Sequence, residues 1–149
     1  MHNLLELLVK DGNQIVLIGG PQEIPLLEEL TEFLKLPQVI NLVGKCSIKQ
    51  SIAAIKRCTC SIGIDTGMQH IAGALSVPTI SIFGPTNPKN HGAFSTCSYF
   101  VEHDVDCKYC YGTENYIHCK HRCCLTEITP QQVMDTVHQV LDYENNKRL

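Results

Sequence analysis

Apolar and polar positions along the chain alternate between a helical period and short unbroken apolar runs. Leucines at positions 4, 5, 7 and 8 mark one face of an amphipathic helix over Met1 to Lys10, and Gly12 follows as a stop. Gln14 to Ile18 is a buried-strand run that ends at Gly19-Gly20-Pro21. Ile24 to Leu34 returns to helical spacing, and Val39 to Val43 is a second strand. A helix from Ser47 to about Arg57 leads to a third strand, Cys60 to Ile64. Met68 to Leu75 is a short helix of small residues suited to close packing on a sheet. Pro78 to Phe83 is the fourth strand, and Gly84-Pro85-Thr86-Asn87-Pro88 is a turn-rich loop. This regular alternation predicts an α/β fold with a Rossmann-like, mainly parallel sheet.

After Thr96 the pattern changes. Cys97 to Val101 reads as one more strand, but Asp106 to Cys124 is polar, cysteine-laden and aperiodic. It reads as a loop held by something other than a core. Thr129-Pro130 then opens a last helix, with proline in its first turn, running to about Tyr143. The tail Glu144 to Leu149 is expected to fray.

Composition narrows the function classes. A chain of 149 residues is most simply one domain able to bury a real core. A net charge of -3 offers no electrostatic footprint for nucleic acid or an acidic membrane. No apolar run is long enough to cross a bilayer, and the first residues do not read as a signal peptide. Six of the nine cysteines fall between Cys97 and Cys124, so their placement matters more than their number.

The stretch Ile64-Asp65-Thr66-Gly67-Met68-Gln69-His70 gathers polar groups where the third strand hands over to a helix. In open α/β sheets ligands bind beyond the carboxyl ends of the strands. Three loops fit that place: Gly19 to Glu23, Asp65 to Gly67, and Gly84 to Thr86. Thr66 and Gly67 start the short helix, where free amides and the helix dipole favour an anion. Gly67 has no side chain to keep a phosphate from the backbone. His70, one turn in, can donate a hydrogen bond to a phosphate or sugar oxygen. The Asp65 carboxylate would repel phosphate and suits sugar hydroxyls, as Glu23 does at the first loop. Asp-Thr-Gly before a helix is equally an ordinary N-cap, so the tripeptide alone does not decide the matter.

The longer run from Ile64 to Pro88 resembles the C-terminal half of glycosyltransferase family 9, the ADP-heptose:lipopolysaccharide heptosyltransferases. The resemblance rests on Asp65, Thr66, Gly67 and His70, then Val77-Pro78-Thr79 and Phe83-Gly84-Pro85-Thr86. Ile18 to Glu23 resembles the family's Gly-Gly-x-x-Glu segment, and Val43 to Cys58 the segment that follows it. The resemblance implies a GT-B fold of two Rossmann-like domains, of which this chain would be the donor-binding one. It implies that Glu23 binds ribose hydroxyls and that Cys46 and Ser47 flank the base. Thr66 and Gly67 would hold the diphosphate, and Asp65 and His70 would contact the sugar and its adjoining phosphate. The implied partners are a nucleotide-sugar such as ADP-heptose and an acceptor domain or subunit. That second part would carry the general base, so no catalytic residue is expected in this chain and no metal is expected for catalysis. The family's basic residue for the diphosphate falls in a segment not present here, with Lys45 and Lys49 as possible substitutes. The implied setting is the bacterial cytoplasm, at the inner face of the inner membrane.

Cys107-x2-Cys110 and Cys119-x3-Cys123, with Cys124 adjacent and His103, His118 and His121 nearby, have spacing that suits a structural zinc site. Free thiols or disulfides are the alternatives. Cys58 and Cys60 read as plain core residues. Two other functions fit the sequence: a non-enzymatic nucleotide-sugar-binding module or subunit of a split transferase, and a zinc-stapled interaction domain. An oxidoreductase is disfavoured, because no Gly-x-Gly-x-x-Gly follows a predicted strand.

Overall fold

The computed structural model describes residues 2–147. The chain divides into two compact units, Met1–Ala54 and Ile55–Leu149, and each contains its own parallel sheet.

In the first unit, helix α1 (His2–Lys10) buries Leu5 and Leu8 and ends where Gly12 takes a positive φ of 80°. Strands β1 (Ile15–Leu17) and β2 (Val39–Asn41) pair in parallel, with Ile15 opposite Val39. Between them the chain departs from the expected α-helix. It forms a 3-10 helix over Pro21–Leu30 and a short one over Phe33–Lys35. Prolines at 21 and 25 explain this: neither has an amide to donate, and Pro25 sits inside the helix, where an α-helical ladder would be broken. After β2 the turn relies on Gly44, at φ 69°, because a Cβ there would stand 2.6 Å from Ile24 Cδ1. Helix α2 (Ile48–Ile55) follows, its first turn fastened by the Ser47 amide and hydroxyl, which both donate to Gln50 Oε1 at 2.8 Å.

The second unit is built on a three-stranded parallel sheet in the order β3-β4-β5, from β3 (Ser61–Ile64), β4 (Thr79–Phe83) and β5 (Ser98–Glu102). Helix α3 (Gly67–Ala74) connects the first two strands and α4 (Pro88–His91) the last two. β4 is central and mostly buried: Ile80 and Thr79 have no exposed surface, and Ile82 alone is part-exposed. The Thr79 hydroxyl answers its burial by donating to Ser98 Oγ at 3.1 Å. The last helix, α7 (Pro130–Lys147), buries Val133, Met134, Val137 and Val140 and packs on β4 and β5. The register sets Ile64 opposite Ile82 and Phe83 opposite Glu102, so the carboxyl ends of all three strands open on one side.

Apart from the 3-10 segment after β1, the expected strands and helices are present with ends shifted by one to three residues. The other exceptions lie toward the C-terminus. α7 continues to Lys147, so Glu144 to Lys147, expected as a frayed tail, are helical; Arg148 and Leu149 lie outside the described residues. α4 forms inside the predicted turn because Asn87 caps it, accepting from the Lys89 amide at 2.9 Å, with Pro88 at its first position. The segment expected as an aperiodic loop contains α5 (Glu114–His118) and α6 (Cys123–Thr126). Among the described residues no helix is long and apolar enough to cross a membrane.

Candidate functional site

Asp65 follows the last residue of β3, and Thr66 is the N-cap residue of α3. The Thr66 side chain makes no capping bond, so the first amides of α3 are not consumed by the hydroxyl that an ordinary N-cap would supply. A Cβ at Gly67 would meet nothing within 4 Å, which leaves the backbone open to an approaching group. His70 Nε2 lies 3.8 Å from Asp65 Oδ1; the histidine is about half exposed and the aspartate mostly covered. These four residues are therefore brought together at one strand-to-helix junction.

Glu23, Cys46 and Ser47 belong to the first unit. Glu23 Oε2 accepts from the Gly20 amide at 2.6 Å, a bond that shapes the glycine loop and leaves the second carboxylate oxygen available. Cys46 is half-buried, and Ser47 is exposed with its amide and hydroxyl engaged by Gln50.

A cavity of about 250 Å³ opens at the carboxyl ends of β3 and β4. Asp65, Gly84 and Thr86 line one part of it, and Tyr111, Tyr116, Arg122 and Leu125 the other. The cysteine-rich segment thus forms a wall of the pocket, a role that its aperiodic sequence does not announce. Several contacts hold it there. The Tyr109 amide donates to the Gly84 carbonyl at 3.1 Å, and the Tyr111 amide to the Pro85 carbonyl at 2.9 Å. Lys108 Nζ pairs with Glu102 Oε1 at 2.9 Å and Asp104 Oδ1 at 3.0 Å, and the Tyr109 hydroxyl donates to Glu102 Oε2 at 2.7 Å. Partial burial works against the Glu102 charge, but the hydrogen bonds from Lys108 and Tyr109 outweigh it and lower the carboxyl pKa. His103 Nε2 and Glu127 Oε2, 3.0 Å apart, tie the ends of the segment.

The thiols of this segment are close neighbours. The Cys107 thiol is pushed up chiefly by its neighbour Cys123, and Cys119 Sγ accepts from the Arg122 amide at 3.4 Å. Among the described residues no group of three or more His, Cys, Asp or Glu side chains stands where it could hold a metal ion. Outside the segment, burial pushes the Cys60 thiol up to about 11, as suits a packed, unreactive residue.

Residues 2–121 match the family model of glycosyltransferase family 9 (heptosyltransferase). The chain is 33% identical over 91 residues to lipooligosaccharide heptosyltransferase 2 of Haemophilus influenzae, covering 58% of this chain and 26% of that protein. It is 26% identical over 144 residues to lipopolysaccharide heptosyltransferase 2 of Salmonella typhimurium, covering 95% of this chain and 41% of that protein. The fold superposes on the E. coli ADP-heptose lps heptosyltransferase II with a TM-score of 0.76 at 24% identity, over 96% of this chain and 40% of that one. The chain therefore spans well under half the length of these proteins, and it has the α/β, parallel-sheet fold of a portion of a GT-B enzyme. With four-fifths of its sequence matched, the chain belongs to glycosyltransferase family 9, the heptosyltransferases.

Proposed function

We propose that this chain is the donor-binding domain of a heptosyltransferase, holding ADP-heptose or a similar nucleotide-sugar for transfer to a lipopolysaccharide core acceptor. The observation that carries the reading is the junction of Asp65, Thr66, Gly67 and His70, in a family member, with Asp65 lining a cavity at the carboxyl ends of the strands. Uncapped α3 amides and the bare Gly67 backbone suit the diphosphate, and Asp65 suits sugar hydroxyls. His70, poised beside Asp65, donates to the sugar or its phosphate. Glu23 takes the ribose hydroxyls through its second oxygen, and main-chain atoms at Cys46 and Ser47 read the base. The name of the E. coli structural neighbour, an ADP-heptose enzyme, supports ADP-heptose as the donor. In this reading the acceptor site and general base belong to the other domain of the GT-B fold. The proposed setting is the bacterial cytoplasm, at the inner face of the inner membrane.

Calorimetric titration with ADP-heptose, with UDP- and GDP-sugars as controls, tests the reading. Selective binding that Asp65→Ala weakens by roughly tenfold, the size expected for a lost charge-assisted hydrogen bond, supports it. No heat from a folded chain with any nucleotide overturns it. A structural zinc on Cys107, Cys110, Cys119 and Cys123 is proposed on their spacing alone, because among the described residues no three such side chains are gathered for a metal. Elemental analysis should find one zinc per chain, and a chelator should lower the melting temperature; a metal-free folded chain refutes it.

A further inference from the structure

None of the residues assigned so far to the donor site is a lysine or an arginine. Lys45 and Lys49, the candidates that the sequence offers, lie in the first unit, and Lys45 Nζ is occupied with the Asn41 carbonyl at 3.1 Å. In the second unit Lys108 is neutralised by Glu102 and Asp104. Arg122 differs from both. It is the one cation among the described residues lining the cavity that Asp65 also lines, and it makes no ion pair among the described residues.

Its backbone is fixed in an unusual way. Arg122 takes a left-handed conformation at φ 47°, which a residue with a side chain rarely adopts. Four bonds hold it: its amide donates to Cys119 Sγ at 3.4 Å, and its carbonyl accepts from the Leu125 amide at 2.8 Å, the Thr126 amide at 3.0 Å and the Thr126 hydroxyl at 3.4 Å. The guanidinium carbon sits 5.0 Å from the centroid of the Tyr116 ring, which in turn stacks edge-on with Tyr111 at 5.1 Å. The cavity therefore has a carboxylate on the strand side and an aromatic-backed guanidinium on the loop side. That polarity matches a glycosyl diphosphate, with hydroxyls toward Asp65 and phosphate oxygens toward a planar, multidentate donor.

We propose that Arg122, positioned by Tyr116 and by the turn at Cys119, is the cationic contact of the donor's diphosphate, and that the cysteine-rich segment exists to deliver it. The proposal rests on the donor-site reading, and its test separates the two. The 149-residue chain is titrated with ADP-heptose, ADP and AMP at two salt concentrations, beside Arg122→Gln, Arg122→Lys and Tyr116→Leu, each first shown by thermal melting to fold.

Arg122→Gln should weaken ADP-heptose and ADP by roughly tenfold or more and AMP by less, with a shallower salt dependence than the parent. Arg122→Lys should recover part of the loss, because it keeps the charge without the fork. Tyr116→Leu, which leaves the backbone turn untouched, should shift affinity in the same direction by a smaller factor. Parent-like affinity and salt dependence in Arg122→Gln overturn the role of Arg122 while leaving the donor site standing. A parent chain that binds no nucleotide overturns the donor site itself, and this contact with it.

Discussion

Gly84 shows how little room the site leaves at a single position. A Cβ there would stand 2.6 Å from Leu125 Cγ, 2.8 Å from Leu125 Cδ2 and 3.1 Å from Cys124 Sγ. The residue is needed for close approach, since α6 packs directly on the end of β4. Gly84→Ala should therefore destabilise the fold by about 1–3 kcal/mol, the usual cost of overpacking, as read by urea denaturation. Because Leu125 also lines the cavity, the same change should weaken nucleotide-sugar binding. Gly67→Ala is the contrasting case: its Cβ meets nothing within 4 Å, so stability should hold.

At the level of elements, the pocket wall is fastened through Glu102 at the end of β5. Its carboxyl pKa is lowered by Lys108 and Tyr109 against the opposing effect of burial, and the Lys108 ammonium is raised by Glu102 and then Asp104. A depressed carboxyl pKa gives stability that is present above the unfolded value, near 4.5, and lost as pH falls through the folded one. The raised lysine gives stability that is present below its unfolded value and lost only in strong alkali. The anchor should thus be intact from about pH 5 to 10 and fail in acid. Glu102→Gln should lower the melting temperature by roughly 2–4 °C at neutral pH and flatten the acid limb of the stability profile.

The elements differ in how far the sequence disclosed them. The strands and α3 were legible because apolar runs such as Thr79 to Phe83 have one physical use, burial on both faces. The 3-10 geometry of Pro21–Leu30 was hidden because helical spacing looks alike in both helix types, and only the position of Pro25 separates them. The Asp65 junction could be read from the residues and from the family resemblance together. Arg122 could not, since an arginine in a polar, aperiodic stretch has no pattern. The segment that carries it is held by the Tyr109 and Tyr111 amides on Gly84 and Pro85, bonds that leave no trace in composition.

For the molecule as a whole, the candidate donor residues are divided between two compact units, with Glu23, Cys46 and Ser47 in the first and Asp65, Thr66, Gly67 and His70 in the second. A net charge of -3 gives no broad field to draw in an anion, so in the proposed reading the attraction comes from local groups such as Arg122. The way the cysteine-rich segment is attached has a wider consequence. It is pinned at one side by the amides of Tyr109 and Tyr111 and at the other by Leu125 and Cys124 against Gly84. Residues 112–123 lie between these two attachments and include both Tyr116 and Arg122. Grafting that stretch from one heptosyltransferase to another would then retune donor choice without reopening the sheet beneath it.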